Sequence, residues 1–334
     1  MKIVFFLILT ILSNTFLFSQ FSFPGTGSEE DPYQVWTSGH FVELSDSLNI
    51  DRYMPARDCW HFGKYFRLMQ DINVSISDQS LWSFFAFFSG NGKKITLTGS
   101  SSLLFSSITM RVDSLTVEVL GSDNVYPGIV GNISFLWNKY GMGIASFGTL
   151  SYCINNVSVV DFGTMGAYEY MYMAGGITYD NSGTISHCIN NGSVSGVDFV
   201  AGIAPDSFHG KIFNCINTGK ITATSTEIKE YYDYTGVAGI TIEAPKTDFS
   251  NCINLGDIEG HYYVGGIASK SFTALFSSWT IVKNCINAGH IKGKKYVGGI
   301  IGFDFDLQPA DIYNCINTGI VEGEEDVGNI VGKK

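Results

Sequence analysis

From about residue 140 to residue 334 the chain repeats one two-part cassette six times, and a repeat this short restricts the possible folds more than any other feature of the sequence. The first half reads Cys153-Ile154-Asn155, Cys188-Ile189-Asn190, Cys215-Ile216-Asn217, Cys252-Ile253-Asn254, Cys285-Ile286-Asn287 and Cys315-Ile316-Asn317. In the last five copies a glycine stands four residues after the cysteine, at Gly192, Gly219, Gly256, Gly289 and Gly319. An aliphatic residue follows two later, at Val194, Ile221, Ile258, Ile291 and Val321, and Val159 holds that place in the first copy. The second half is Met173-Ala174-Gly175-Gly176-Ile177, Val200-Ala201-Gly202-Ile203, Val237-Ala238-Gly239-Ile240, Val264-Gly265-Gly266-Ile267, Val297-Gly298-Gly299-Ile300 and Val327-Gly328-Asn329-Ile330.

The cysteine and the closing isoleucine lie 15 residues apart in four copies and 24 and 25 apart in the other two, so a compact unit is about 27 residues with insertions at fixed places. Such a unit cannot close its own core, whereas stacked units bury a continuous one. Short apolar-alternating runs separated by Gly or Asn predict one coil of strands and turns per copy. Helical repeats of this length need unbroken helices, which a glycine in every cassette opposes. The expected fold is therefore all-β, a right-handed parallel β-helix with coils of about 27–37 residues. Stacking predicts an inward column of Cys153, Cys188, Cys215, Cys252, Cys285 and Cys315, a second inward column of isoleucines, and asparagines pairing their amides from coil to coil. Cysteines in an exported chain ordinarily suggest disulfides. One per coil at one equivalent position reads instead as packing by thiols.

Composition agrees: 38 Gly, 25 Phe and 17 Tyr with only 15% charged residues suit many short strands. A net charge of −11 leaves no phosphate-neutralising surface, so nucleic acid is not an expected partner. Residues 1–19 have the layout of a secretory signal peptide, with Lys2, an apolar run from Ile3 to Leu12, and a small or polar end. That run is too short to span a bilayer. No transmembrane segment is expected after cleavage, and the mature product is expected to be secreted or held at a bacterial cell surface. Residues 20–139 are read as β-rich entry coils and 140–334 as the repeat array.

The combination of V-G-G-I-[IA], a short connection and G-T-I-x-x-C-I-N-x-G, best seen at Gly175 to Gly196 and Gly256 to Gly302, resembles the GLUG-motif repeats of bacterial surface and secreted proteins. Gly25 to Tyr33, Gly63 to Ile72 and Gly90 to Ile95 resemble the entry coils that often precede such repeats, and Val42 to Trp60 matches least. The resemblance implies an architecture and brings no catalytic residues, cofactor or metal with it.

Chemistry-bearing motifs are sparse. Cys59 and His61 form one close pair without a second, which is insufficient for a zinc site. There is no nucleophile elbow, no phosphate-binding loop and no dinucleotide fingerprint. Asp304 and Asp306 share a face if extended, but read as a solvated insertion, with no acidic or basic partner recurring in adjacent coils. An enzyme is not expected; a polysaccharide lyase or glycosidase is the alternative, and a structural spacer a third. The residue before the second half of the cassette is Tyr172, Phe199, Tyr263 and Tyr296 in four of six coils. Strand alternation predicts these rings outward, overhung by Tyr231, Tyr232 and Tyr234, as an exposed aromatic strip. The expected function is adhesin-like binding or display, with a glycan or a surface or matrix protein as the partner.

Overall fold

The computed structural model describes residues 22–50, 58–75, 81, 84–98, 104–120, 130–133, 135–137, 143–160, 173–207, 210–226, 235–243, 248–271, 280–304 and 309–333. The expected leader lies outside them. Four parallel sheets, here I to IV in the order the chain visits them, build a parallel β-solenoid. In the coil of Cys188, sheet I takes Thr184–Ser186 and Ile189–Asn190, sheet II Val194–Gly196, sheet III Phe199–Ala201 and sheet IV Ala204–Asp206. Among the described residues sheet I has seventeen strands, II and III six each and IV eight. From asparagine to asparagine the chain advances 35, 27, 37, 33 and 30 residues per coil, the range expected from the cassette.

Sheet I does not break where the cassette begins. It runs from Tyr33–Val35 through Tyr65–Leu68, Phe87–Thr98 and Arg111–Leu120 directly onto Thr149–Ser151. Thr116 pairs with Ile154 and Val117 with Asn155, so Leu115 and Val117 stand where the repeat has cysteine and asparagine. Residues on both sides of position 140 thus share one stack. A feature absent from the all-β expectation is a helix, Ser38–Ile50. Its backbone starts on Thr37, whose Oγ1 accepts from the amide of His40 at 3.1 Å. Phe41, Leu44 and Leu48, spaced by three and four, bury one face against the first coils.

Three apolar clusters fill the spaces between sheets. Between I and IV lie Leu150, Ile185, Ile212, Phe249 and Val282, the cysteine column, and Ile177, Ile203, Ile240, Ile267 and Ile300. Between II and III, Val159, Val194, Ile221, Ile258 and Ile291 meet Val200, Val237, Val264 and Val297. On the other face of III, Phe199, Ala201 and Ala238 meet Ile242 of sheet IV. Sheet III is therefore covered on both sides in its inner coils, and its cassette segment is apolar or glycine at every position except Asn329 of the last coil.

The cysteines form one inward column, fully buried from Cys153 to Cys285 and half-buried at Cys315, and all are unbridged thiols. Each donates to the carbonyl two residues back, and Cys153, Cys188, Cys252 and Cys315 also reach a carbonyl of the coil before, as Cys188 does to Ser186 at 3.3 Å and Leu150 at 3.7 Å. Burial, and then the neighbouring thiol, push Cys153 and Cys215 well above the usual thiol range. Cys285, beside Cys252 and largely buried, is pushed up to about 12. Each column cysteine follows a left-handed residue: Tyr152, His187, Asn214, Asn251, Asn284 and Asn314 have φ of 51–55°, the bend that turns the strand inward. Asparagine tolerates this region best among residues with a Cβ.

Beside the thiols runs an asparagine ladder. Nδ2 of Asn155, Asn190, Asn217, Asn254 and Asn287 donates to Oδ1 of the next asparagine at 2.7–2.9 Å. Nδ2 of Asn190 also donates to Gly192 in its own coil, and the later copies repeat this contact with Gly219, Gly256, Gly289 and Gly319. We predict that Ile267→Ala lowers stability by about 2–5 kcal/mol, as a truncation in a packed core. Gly239→Ala should also be severe, because its Cβ would stand 2.4 Å from the Gly266 carbonyl oxygen and 2.5 Å from Asn254 Cγ. Denaturant melts check both, with Leu255→Ala on the exposed surface as the reference that should scarcely move.

Candidate functional site

The expected outward aromatic strip is corrected by the structure. Phe199 and Tyr263 are buried, at 2% and 7% exposure, and Tyr296 is half-buried. Register pairs Phe199 with Met173, so Met173 rather than Tyr172 is the equivalent residue in the preceding coil. Tyr172, Tyr231, Tyr232 and Tyr234 lie outside the described residues. Two causes undid the alternation argument. The face of sheet III opposite the valines meets sheet IV rather than solvent. In addition, Tyr263 and Tyr296 have φ of 51° and 58°, which breaks the period of two. Their rings stack 4.8 Å apart, Phe303 packs edge-on against both, and Lys270 Nζ sits 4.1 Å from the Tyr263 ring centroid.

The outer face of sheet I carries a stacked, half-buried aromatic pair with charged groups beside it. Tyr65, Phe87 and Arg111 are register partners on successive coils, and so are Arg67, Ser89 and Asp113 two residues further along. The rings of Tyr65 and Phe87 stack at 4.4 Å, and the Arg111 guanidinium lies 5.7 Å from the Phe87 centroid. Asp113 holds this pile from the second row, through Arg111 Nε at 3.0 Å and Ser89 Oγ at 2.9 Å. The Tyr65 hydroxyl donates to Glu29 at 3.4 Å. These groups, with Pro32 and Phe66, line a cleft of about 210 Å³. The two rows continue along the stack as Thr149, Thr184, Lys211, Asp248, Ile281 and Asp311, and as Ser151, Ser186, Phe213, Ser250, Lys283 and Tyr313. A third row stands on the left-handed bend. There Tyr152 stacks on His187 at 4.5 Å, and amides link His187, Asn214, Asn251, Asn284 and Asn314 at 2.9–3.3 Å.

Sheet IV carries a charged row at a register position next to that of Asp304, whose own register partner is Ser271. Asp180, Asp206 and Glu243 are register partners on three successive strands, and Lys270 takes the same position on the fourth. Burial raises the carboxyl of Asp206 above the usual range, against a smaller opposing effect of the Ser207 amide. Lys270 is buried at 1% exposure. Asp304, expected in a solvated insertion, is buried as well; it accepts from the Ser271 hydroxyl and from the Ala310 amide at 2.8 Å. Asp306 lies outside the described residues. Cys59 and His61 are both buried, and His61 stacks 5.7 Å from Phe85. Among the described residues no group of three His, Cys, Asp or Glu is placed to hold a metal, and no helix is long and apolar enough to cross a membrane.

The Asp206 shift carries a stability consequence. A carboxyl whose native range is raised binds its proton more tightly in the folded state, so ionising it at neutral pH opposes folding. Asp206→Asn should therefore melt above the native chain at pH 7. The difference should shrink as pH falls through the raised native range and vanish below about 3.9, the unfolded value. Thermal melts across pH check this, and a gap that persists in acid would remove desolvation as the cause.

No family model and no curated protein matches the chain. Among solved structures it is similar to a candidate immunoglobulin A1 protease from Bacteroides ovatus, with 17% identity over 88% of this chain and 86% of that one and a TM-score of 0.57. At that identity the likeness is one of fold, and it agrees with the parallel solenoid read from the cassette.

Proposed function

We infer that this chain is an exported or surface-displayed solenoid of the GLUG-like kind that binds a glycan along the outer face of sheet I. The observation that supports this reading is the grid of Tyr65, Phe87 and Arg111 beside Arg67, Ser89 and Asp113. Fork-shaped guanidinium donors, a carboxylate and hydroxyl acceptor, and aromatic surface within one open cleft suit the alternating hydroxyl and C–H faces of a sugar. Successive coils advance by about 4.8 Å, close to the length of one pyranose unit. A linear polymer laid across the coils therefore meets the outward side chains of a new coil at about each sugar. The hydroxyl, amide and aromatic groups downstream, with Tyr152 and Tyr313 exposed, extend that track, and no single contact has to be strong.

A glycan array with the mature chain tests the reading. Arg111→Ala and Arg67→Ala should weaken binding by about tenfold or more, as expected for lost charge-assisted hydrogen bonds. Both should leave the melting temperature nearly unchanged, since both side chains are exposed. Retention of full affinity in both variants would remove the cleft from the binding site.

A second reading, a polysaccharide lyase or glycosidase, is favoured by the row of Asp180, Asp206 and Glu243 leading to Lys270. A carboxyl whose burial favours its protonated form, in a row with other carboxylic residues, is a starting point for acid catalysis at a glycosidic oxygen. The same array, read for released oligosaccharide, separates the two: product formation abolished by Asp206→Asn would favour the enzyme.

A further inference from the structure

In five of the six cassettes the glycine before the closing isoleucine is a vacancy for a neighbour's amide. A Cβ on Gly176, Gly202, Gly239, Gly266 or Gly299 would stand 2.4–2.6 Å from Cγ of Asn190, Asn217, Asn254, Asn287 or Asn317 respectively. The asparagine that fills each vacancy belongs to the following coil. Its Oδ1 is the acceptor that completes the amide of the coil before, 27–37 residues back. In the sixth cassette the vacancy is absent, because position 329 is asparagine. Asn317 instead donates through Nδ2 to Oδ1 of Asn329 at 2.8 Å, only 12 residues on and in its own coil.

We propose that Asn329 terminates the asparagine ladder and closes this face of the stack to any further coil of the same repeat, a coil from a second copy included. Its side chain does two separable things. The Oδ1 supplies the acceptor that an added asparagine would have brought. The Cβ and amide fill the space that the added asparagine would need. The second effect matters because the coil of Cys315 presents, among the described residues, strands paired on one side only, with Ile316, Ile320 and Val327 at 53%, 64% and 43% exposure. Open parallel edges with apolar side chains are templates for addition. Glu322, Glu324, Glu325 and Asp326 on the same coil add repulsion between two such faces but do not block a coil sterically. Asn329 does.

The test inserts a second copy of residues 304–333 after Lys333 in the full chain, with the added cysteine replaced by valine, and follows labelling of Cys315 by a thiol reagent. With Asn329→Gly the added coil should dock and slow labelling of Cys315 by about tenfold or more, as local protection of a buried thiol does. With Asn329 retained the added coil should stay undocked and Cys315 should label as in the parent chain. Equal labelling rates in the two insertions would overturn the steric role. The acceptor role has its own measurement in the chain without insertion: Asn329→Asp keeps an acceptor and should hold the melting temperature, whereas Asn329→Ala should lower it. Identical melting of Asp and Ala variants would overturn that half, whatever the insertions do.

Discussion

The buried amide ladder is the constraint from which most of the cassette follows. An asparagine at zero exposure is tolerable only when its donors and acceptors are met, and here each Nδ2 serves two acceptors, one in its own coil and one in the next. That dual contact fixes the coil spacing and the register of sheet I together. It also dictates two glycines. The one four residues after the cysteine must offer its carbonyl at close range, and a Cβ on Gly219 would collide with the Gly192 oxygen at 1.9 Å. The one before the closing isoleucine must leave room for the next amide. A slip of one residue in any coil would turn its asparagine outward and leave the buried amide of the coil before without its acceptor, so the polar ladder sets the alignment and the thiol and isoleucine columns add the burial.

Residues that recur in one chemical role were legible from spacing. The cysteines, the closing isoleucines and the ladder asparagines sit in repeat positions, and stacking translates each into a column without knowledge of the coil's cross-section. The aromatic strip failed because it needed that cross-section. Alternation places Phe199 opposite Val200, but whether opposite means solvent depends on how the chain folds back after sheet III, and the chain lays sheet IV there. The positive φ at Tyr263 and Tyr296 is equally invisible in a tyrosine, a residue with no special preference for that region. The helix from Ser38 overlaps Val42 to Trp60, the stretch that matches the repeat family least, and only the spacing of Phe41, Leu44 and Leu48 carried its signal.

The groups that line the sheet I cleft were present in the sequence but unrelated to one another there. Tyr65 with Arg67, Phe87 with Ser89 and Arg111 with Asp113 share only a separation of two, and their coils lack the cysteine and asparagine that would have aligned them. Their relation exists through register: once Thr116 pairs with Ile154 and Phe87 with Arg111, the three dipeptides become two rows on one face. The row of Asp180, Asp206 and Glu243, by contrast, was legible in the spacing. Each stands three residues after its closing isoleucine, at Ile177, Ile203 and Ile240, and Lys270 holds the same place after Ile267.

Inside and outside are thus under opposite demands. The inward columns of cysteine, asparagine and closing isoleucine each repeat one residue type, and the other inward columns stay apolar while varying in size, because each coil must present its neighbour with the surface that it receives itself. Position 329 is the exception that follows from the rule: the glycine can be lost only in a coil whose ladder partner lies within itself. The outward rows of Tyr65 and Arg67 carry no such coupling along most of their length. Along the outer face of sheet I the residues run Tyr, Phe, Arg, Thr, Thr, Lys, Asp, Ile and Asp from one coil to the next, a sequence with no period. In a stack whose stability is settled by its interior, such a row is free to be shaped by what it touches, and the non-repeating positions of a repeat protein are therefore where its chemistry has to be sought.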